Sequence, residues 1–429
     1  MAAHKPNRLT VLLQRLRAHP LARVGPGFIT GAAEDDPGGI ATYAQAGAQY
    51  GLNMLWTMPL SLPLMAAVQS MCARIGRVTG KGLAANMAVV FPPLVVRSAV
   101  LLLVLANTLN IAADVAAMGE TAELVTGYSR HAMTVAFACA TLLAQLYVPY
   151  HRYVYFLKWL TVSLLAYTAV LFTVHVPWRD VALRTLWPHF VPDQSAATVI
   201  VAVFGTTISP YLFFWQASQE VEDMDANPRA APLLRDPAPA GSELRRIRWD
   251  TWIGMFYSNA TAFFIMLATA VTLHSAGVTR IDTAAQAASA LRPLAGDFAF
   301  LLFALGILGV GLIGVPVLAA SGAYAMAEVM HWQWGLERRA TDARGFYGVI
   351  AVSVLAALVI QTLPISPMRA LFWSAVINGI VAVPLIVMVL ILASRRGILG
   401  PYRASHTTLV LGWLAAIVMG AAAVRMLMG

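Results

Sequence analysis

The chain has 429 residues, of which 59% are apolar and only 11% charged, with a mean hydropathy of +0.70. A soluble domain carries roughly 25% charged residues, so this composition argues against a soluble enzyme and for a protein whose main solvent is lipid. The formal charge of +9 taken alone suggests nucleic acid, but most of the Lys and Arg residues fall in the N-terminal tail and in alternate loops. This is the positive-inside bias of a membrane protein, and no nucleic-acid partner is needed to explain it.

The first 25 residues carry Lys5, Arg8, Arg15, Arg17 and Arg23 without an apolar stretch or a small-residue cleavage site, so they read as a cytoplasmic tail and not as a signal peptide. After them come apolar runs of about 20 residues, enough to cross a hydrocarbon core ~30 Å thick. Spans are predicted near 26 to 49, 53 to 73, 95 to 124, 131 to 149, 154 to 175, 195 to 221, 250 to 274, 296 to 328, 346 to 364, 367 to 394 and 406 to 427, about eleven in all. With the N-terminus inside, Arg130, Arg179, Arg184, Arg280, Arg292, Arg369 and Arg425 fall outside, Arg97 stays unassigned, and the C-terminus is external.

The longest connections are an external loop near 176 to 194 and a Pro- and Ala-rich cytoplasmic loop near 222 to 249, read as a flexible linker. No segment outside the membrane is long enough for a second domain. Cys72 and Cys139 lie far apart and match neither a metal spacing nor a disulfide framework, which leaves them as small packing residues.

The first ten spans divide into two sets of five, each opening with a span that carries helix breakers at mid-depth: Asp36-Pro37-Gly38-Gly39 in the first, Thr207-Ile208-Ser209-Pro210 in the second. Five is odd, so two such sets have opposite topology, the plan of many secondary transporters that bind substrate at discontinuous helices. The predicted frame is a tail (1 to 25), a first repeat (26 to 175), the external loop (176 to 194), a second repeat (195 to 394), and a linker with an eleventh helix (395 to 429).

A proline inside a helix removes a donor and leaves carbonyl oxygens free one turn earlier. Two such ends facing each other make a cation site. The carbonyls here are those of Ala33 and Thr206; Asp36 adds a full charge and Ser209 a hydroxyl. Asp-Pro-Gly alone is an ordinary turn tripeptide, but inside an apolar run, with a matching break five spans later, the site reading is the better one. Glu34 and Asp35 make a run of three acids with Asp36, and burying all three unpaired would be costly. The two are therefore expected to face a watery vestibule.

Asn107, Asn110 and Asp114 share one helical face in the third span and are expected to line a path, though asparagines also serve as interhelical hydrogen-bonding groups. In the sixth span Gln216 and Glu220 lie one turn apart near the cytoplasmic end, either as an exit path or, for Glu220, as a boundary marker. Asn378 in the tenth span is a further pathway candidate, with a packing role equally open. The small-residue runs GILGVGLIG and AASGAYA permit close helix contact.

These segments resemble a known family. GPGFITGAAEDDPGGIAT, NIAADVAAMGETAEL and GTTISPYLFF are similar to the first, third and sixth helices of the Nramp divalent-metal transporters. The resemblance implies an all-α polytopic membrane protein with the leucine-transporter-type inverted 5+5 repeat, broken helices 1 and 6, a divalent cargo and no cofactor. Gly39 stands where the family has its binding asparagine, Ser209 at its methionine, Tyr211 at its histidine, and Ala117 at the second acid of the third helix, while Asp36 and Asp114 remain.

Losing sulfur removes a preference for later transition metals, and a roomier all-oxygen site suits Mg2+, which sheds water reluctantly. The pattern resembles the Nramp-related magnesium transporter branch. Mg2+, with Mn2+ second, is therefore the expected substrate, with weak or no proton coupling. A proton-coupled Mn2+ or Fe2+ carrier is the rival within transport; the acidic triplet argues against an amino-acid carrier. A non-transporting sensor would be expected to carry a signalling domain, and no obligatory protein partner is evident.

Overall fold

The computed structural model describes residues 25–148, 164–188 and 194–428, and among them every regular element is helical. Proline sets several of the starts. Pro26, Pro37, Pro93, Pro210 and Pro367 each stand in a first helical turn, where the missing N–H has no partner to lose. Two of these starts fall in the middle of a span and make the breaks.

The first span is α1 (Pro26–Glu34) and α2 (Pro37–Tyr50), with Asp35 and Asp36 as the C-cap and N-cap between them. There follow α3 (Thr57–Thr79), α4 (Leu83–Val90), α5 (Pro93–Thr126), α6 (Arg130–Tyr147), α7 (Leu165–Val170) and α8 (Trp178–Leu186). The sixth span is α9 (Gln194–Thr207) and α10 (Pro210–Asp225), interrupted at Ile208 and Ser209. Then come α11 (Ala240–Thr269), α12 (Ala284–Ala288), α13 (Ala299–Val329), α14 (Arg344–Ile360), α15 (Pro367–Ser394) and α16 (His406–Met428). Glycines in the left-handed region close α3 and α5, at Gly80 (φ +66°) and Gly127 (φ +74°).

Ten of the eleven predicted spans coincide with a helix or a broken helix, within a few residues at most ends. The fifth, 154 to 175, lies mostly outside the described residues. Among the described residues six helices are long and apolar enough to cross a membrane, and a seventh is gained by joining Pro37–Met54 to Thr57–Thr79 across a bend of 113°. The difference from eleven has physical causes. The break leaves α1 and α2 with only 9 and 14 residues, α14 has 17, and α6 includes Arg130, His131 and Gln145.

The loop near 222 to 249 differs from expectation. Helix resumes at Ala240, and the segment before it is pinned: the Leu233 and Leu234 amides donate to the carbonyls of Arg77 and Val78 at 3.3 Å, and Arg77 donates to the Ala231 carbonyl at 2.6 Å. The buried Leu233 side chain explains why a composition-based linker reading fails. Cys72 is buried as expected, whereas Cys139 is exposed.

The core runs through the helices that carry the breaks. α1 lies against α11, α9 against α15, α10 against α3, and α13 against α5. Two close approaches use glycine for lack of room. A Cβ on Gly31 would run into the Gly254 backbone, and one on Gly205 into the Ala375 carbonyl. The small-residue stretch of α13 does the same beside the first break, where a Cβ on Gly314 would lie 3.0 Å from that of Asp36.

Candidate substrate site at the two helix breaks

Asp36 is the N-cap of α2, and its carboxylate accepts a hydrogen bond from the Gly39 amide at 2.7 Å. That bond fixes the carboxylate at the positive end of a half-helix, deep in the protein, with Asp36 only 2% exposed. Its other oxygen receives the Asn110 amide at 3.3 Å and faces the Tyr211 hydroxyl at 3.2 Å. The same hydroxyl lies 3.2 Å from the Ala33 carbonyl oxygen. One proton cannot satisfy both acceptors fully, so Tyr211 bridges the free end of α1 and the carboxylate of α2. The two breaks meet here.

Asn110 is itself held, since the Ser374 hydroxyl of α15 donates to its amide oxygen at 2.6 Å. Asp114, one turn farther along α5, is fully buried, has no hydrogen-bond partner for either carboxylate oxygen, and lies within electrostatic reach of Asp36. Thr206 borders the site from α9: its hydroxyl would lie 3.3 Å from a Cβ placed on Gly39. Ser209 turns back onto its own helix, donating to the carbonyls of Thr206 at 2.7 Å and Gly205 at 2.9 Å. The Thr206 carbonyl is therefore engaged and not free. The structure thus joins Ala33, Asp36, Asn110 and Tyr211 directly, with Gly39 and Thr206 beside them, and leaves Ser209 facing away.

Other candidates resolve differently. Asn107 donates to the Leu318 carbonyl and the Ser321 hydroxyl, both at 2.9 Å, and so ties α5 to α13. Gln216 is buried with neither amide atom partnered, and the Asn378 amide oxygen is also unpartnered. Glu220 is fully buried in an ion pair with Arg246 at 2.5 Å, and both line a cavity of about 270 Å³ with Arg77 and Glu243. The vestibule expected for Glu34 and Asp35 is not found. Both are buried, at 0% and 1% exposure, because α11 packs over the break, and Ser258 donates to Asp35 at 2.8 Å.

Ser374, Ser258 and Gly314 escape a reading of the sequence. A single serine or glycine in an apolar run carries little signal, although Ser374 lies one turn before Asn378 on the same face.

The two ends of the molecule differ. A cavity of about 660 Å³ is lined by Ala41, Gln45, Gln49, Ser195, Asp282 and Phe372, among others. Ala41 lies five residues past Asp36, or about 7 Å along a helix. At the opposite end Arg246 pairs with Glu220 and Glu243, Arg77 pairs with Glu243, and the Gly25 and Gly27 amides donate to Asp250. Among the described residues no three His, Cys, Asp or Glu side chains converge in a chelating group. The site is instead a pair of buried acids among a carbonyl, amides and hydroxyls.

Residues 27–429 match the model of the family described as natural resistance-associated macrophage protein-like. The chain belongs to the Nramp family. This membership makes it a membrane transporter and not an enzyme. Among curated Nramp relatives it is 26% identical over 404 residues to the divalent metal cation transporter MntH of Klebsiella pneumoniae strain 342, covering 92% of this chain and 91% of the relative. It is 28% identical over 373 residues to the protein of the same name from Acidiphilium cryptum strain JF-5, covering 83% and 82%.

Among solved structures it is similar to the Eremococcus coleocola manganese transporter in complex with an aromatic bis-isothiourea substituted compound. The TM-score is 0.72 at 17% identity, over 98% of this chain and 88% of that one. Mhp1, a nucleobase-cation-symport-1 family transporter in a closed conformation, gives 0.55 at 13% identity over 94% and 92%. The architecture is that of the leucine-transporter-type inverted repeat, with broken helices 1 and 6.

Proposed function

We propose that this chain carries divalent metal ions across the membrane by alternating access, with Mg2+ as the favoured cargo and Mn2+ accepted, and with weak or no proton coupling. The names of its relatives support a divalent or manganese cargo. The observation that carries the finer reading is the chemistry around Asp36. The groups that touch this buried acid are an amide N–H, an asparagine side chain and a phenolic hydroxyl, with the Ala33 carbonyl and a second acid, Asp114, close by. All of these are hard donors or hydrogen-bonding groups for coordinated water. Magnesium keeps several waters and is held by one or two carboxylates.

In this reading Asp36 and the Ala33 carbonyl meet the ion, Gly39 and Thr206 leave room for its water, and Ser209 contributes its hydroxyl after turning from its own helix. Asn110, Asp114, Tyr211, Gln216 and Asn378 line the way. Asn107 belongs to the scaffold. Glu220 with Arg246 makes a cytoplasmic closure that must open for release. The chain sits in a bacterial inner membrane with its N-terminus in the cytoplasm and its C-terminus outside, and residues 26–175 and 195–394 are the two repeats.

The decisive experiment is uptake into proteoliposomes of purified protein, measured with a Mg2+-sensitive dye inside, Mn2+ as competitor and a pH dye in parallel. Mg2+ influx without proton influx is expected. Mn2+ influx with stoichiometric protons and no Mg2+ flux would reject the reading in favour of the proton-coupled carrier.

A further inference from the structure

The Asp36 site leaves two acids unexplained. Glu34 is the last residue of α1, is completely buried, and has no hydrogen-bond partner for either carboxylate oxygen. Asp35 is buried beside it, with one oxygen receiving the Ser258 hydroxyl and the other unpartnered. Neither has an ion-pair partner among the described residues. Asp35 is turned away from the cargo site, and Glu34 stands between the two, within electrostatic reach of Asp36 and Tyr211. Asp36 is turned to α5 and α10 through Asn110 and Tyr211, whereas Asp35 is turned to α11 through Ser258. Glu34 lies within reach of Asp35 and of the same Ser258 hydroxyl, with Tyr43 of α2 nearby.

We propose that Glu34, Asp35 and the Ser258 hydroxyl form a second cation site, between the break in the first span and α11, that takes an alkali ion such as Na+. A buried carboxylate without a partner is expensive, and two neighbouring buried acids with unpartnered oxygens beside one hydroxyl offer a cation the ligands it needs. The hydroxyl can turn its proton aside and present a lone pair. All the donors are oxygen, which suits a hard ion.

The preference for a monovalent ion rests on the divalent reading of the Asp36 site; the existence of the second site does not. Repulsion between two bound cations scales with the product of their charges, so a second divalent ion next to a divalent cargo would be repelled about twice as strongly as a monovalent one. An alkali ion here also links α1 to α11. Its occupancy would therefore hold the half-helix whose Ala33 carbonyl faces the cargo.

The test is binding of radiolabelled Na+ to the purified full-length protein, by scintillation proximity, beside Mn2+ binding by calorimetry. Saturable Na+ binding is expected, weakened about tenfold or more in Glu34→Gln and in Asp35→Asn and about threefold in Ser258→Ala, the scale of a lost charged or neutral ligand contact. Asp36→Ala should lose Mn2+ yet keep Na+. Absence of saturable Na+ binding in the wild type, or equal Na+ affinity in Glu34→Gln and Asp35→Asn, overturns the proposal. Should the carboxylate variants fail to fold, Ser258→Ala decides, and unchanged Na+ affinity in it sinks the site. Failure of the cargo reading has a different signature: Na+ binding in the wild type with neither Mn2+ nor, in the same calorimeter, Mg2+ bound.

Discussion

Asp36 gathers its importance from position. An acid at the N-cap of α2 is stabilised by the Gly39 amide and the half-helix dipole, so it can hold its charge where an isolated carboxylate could not. Asp36→Ala is expected to abolish metal flux while leaving expression and monodisperse elution intact, because what is lost is one capping bond, worth ~1 kcal/mol, and two longer bonds from Asn110 and Tyr211, while burial of a charge is relieved. Flux at wild-type rates would remove this residue from the site. Selectivity should be separable from transport. A Cβ on Gly39 would meet the Glu34 carbonyl and the Thr206 hydroxyl at 3.3 Å, so Gly39→Asn, made together with Ser209→Met, requires these neighbours to shift by a few tenths of an ångström. It introduces a thioether and removes space for water, and should move competition in uptake assays toward Mn2+ by roughly tenfold, the worth of ~1.4 kcal/mol. Unchanged competition would show that ligand softness does not set the preference.

Helices and their breaks were legible because their causes are local. Hydropathy marked the spans, and Pro37 and Pro210 within apolar runs marked the interruptions, at which Asp36 and Ser209 are now the N-caps. The shared face of Asn110 and Asp114 also followed from spacing. What stayed hidden depends on which helix covers which. Glu34 and Asp35 look like vestibule acids until α11 is laid over them, and Tyr211 can be recognised as a departure from the family without any hint that it bridges Ala33 and Asp36.

Two predictions belong to the packing of helices. In Gly205→Val the new side chain must displace the Ala375 carbonyl of α15; overpacking of this kind costs about 1–3 kcal/mol and should appear as a lower melting temperature in detergent. In Arg246→Ala the fully buried Glu220 loses its partner. Breaking a buried pair costs roughly 3–5 kcal/mol, and partial exposure of Arg246 places the effect at the lower end. The double variant Arg246→Met with Glu220→Leu removes the unpaired charge and should melt nearer the wild type. If the single and double variants melt alike, the unpaired charge is not what destabilises Arg246→Ala.

The molecule as a whole must also supply a driving force. On the proposed reading, in which Tyr211 and Ala117 replace the histidine and acid that the family resemblance would assign to proton handling, the membrane potential is the energy source. Moving one charge through 100 mV is worth about 2.3 kcal/mol, hence about 4.6 kcal/mol for a divalent ion, enough for a gradient of roughly a thousandfold at ~1.4 kcal/mol per factor of ten. In proteoliposomes with equal pH and equal Na+ on both sides, a K+ diffusion potential of about 100 mV, inside negative, should therefore accelerate Mg2+ entry and raise its final accumulation, and collapsing the potential with external K+ should let the ion leave. An imposed pH gradient at zero potential should do neither. Accumulation driven by the pH gradient alone would mean that some other buried acid carries the proton, and Asp114, unpartnered and close to Asp36, would be the first to replace by Asn.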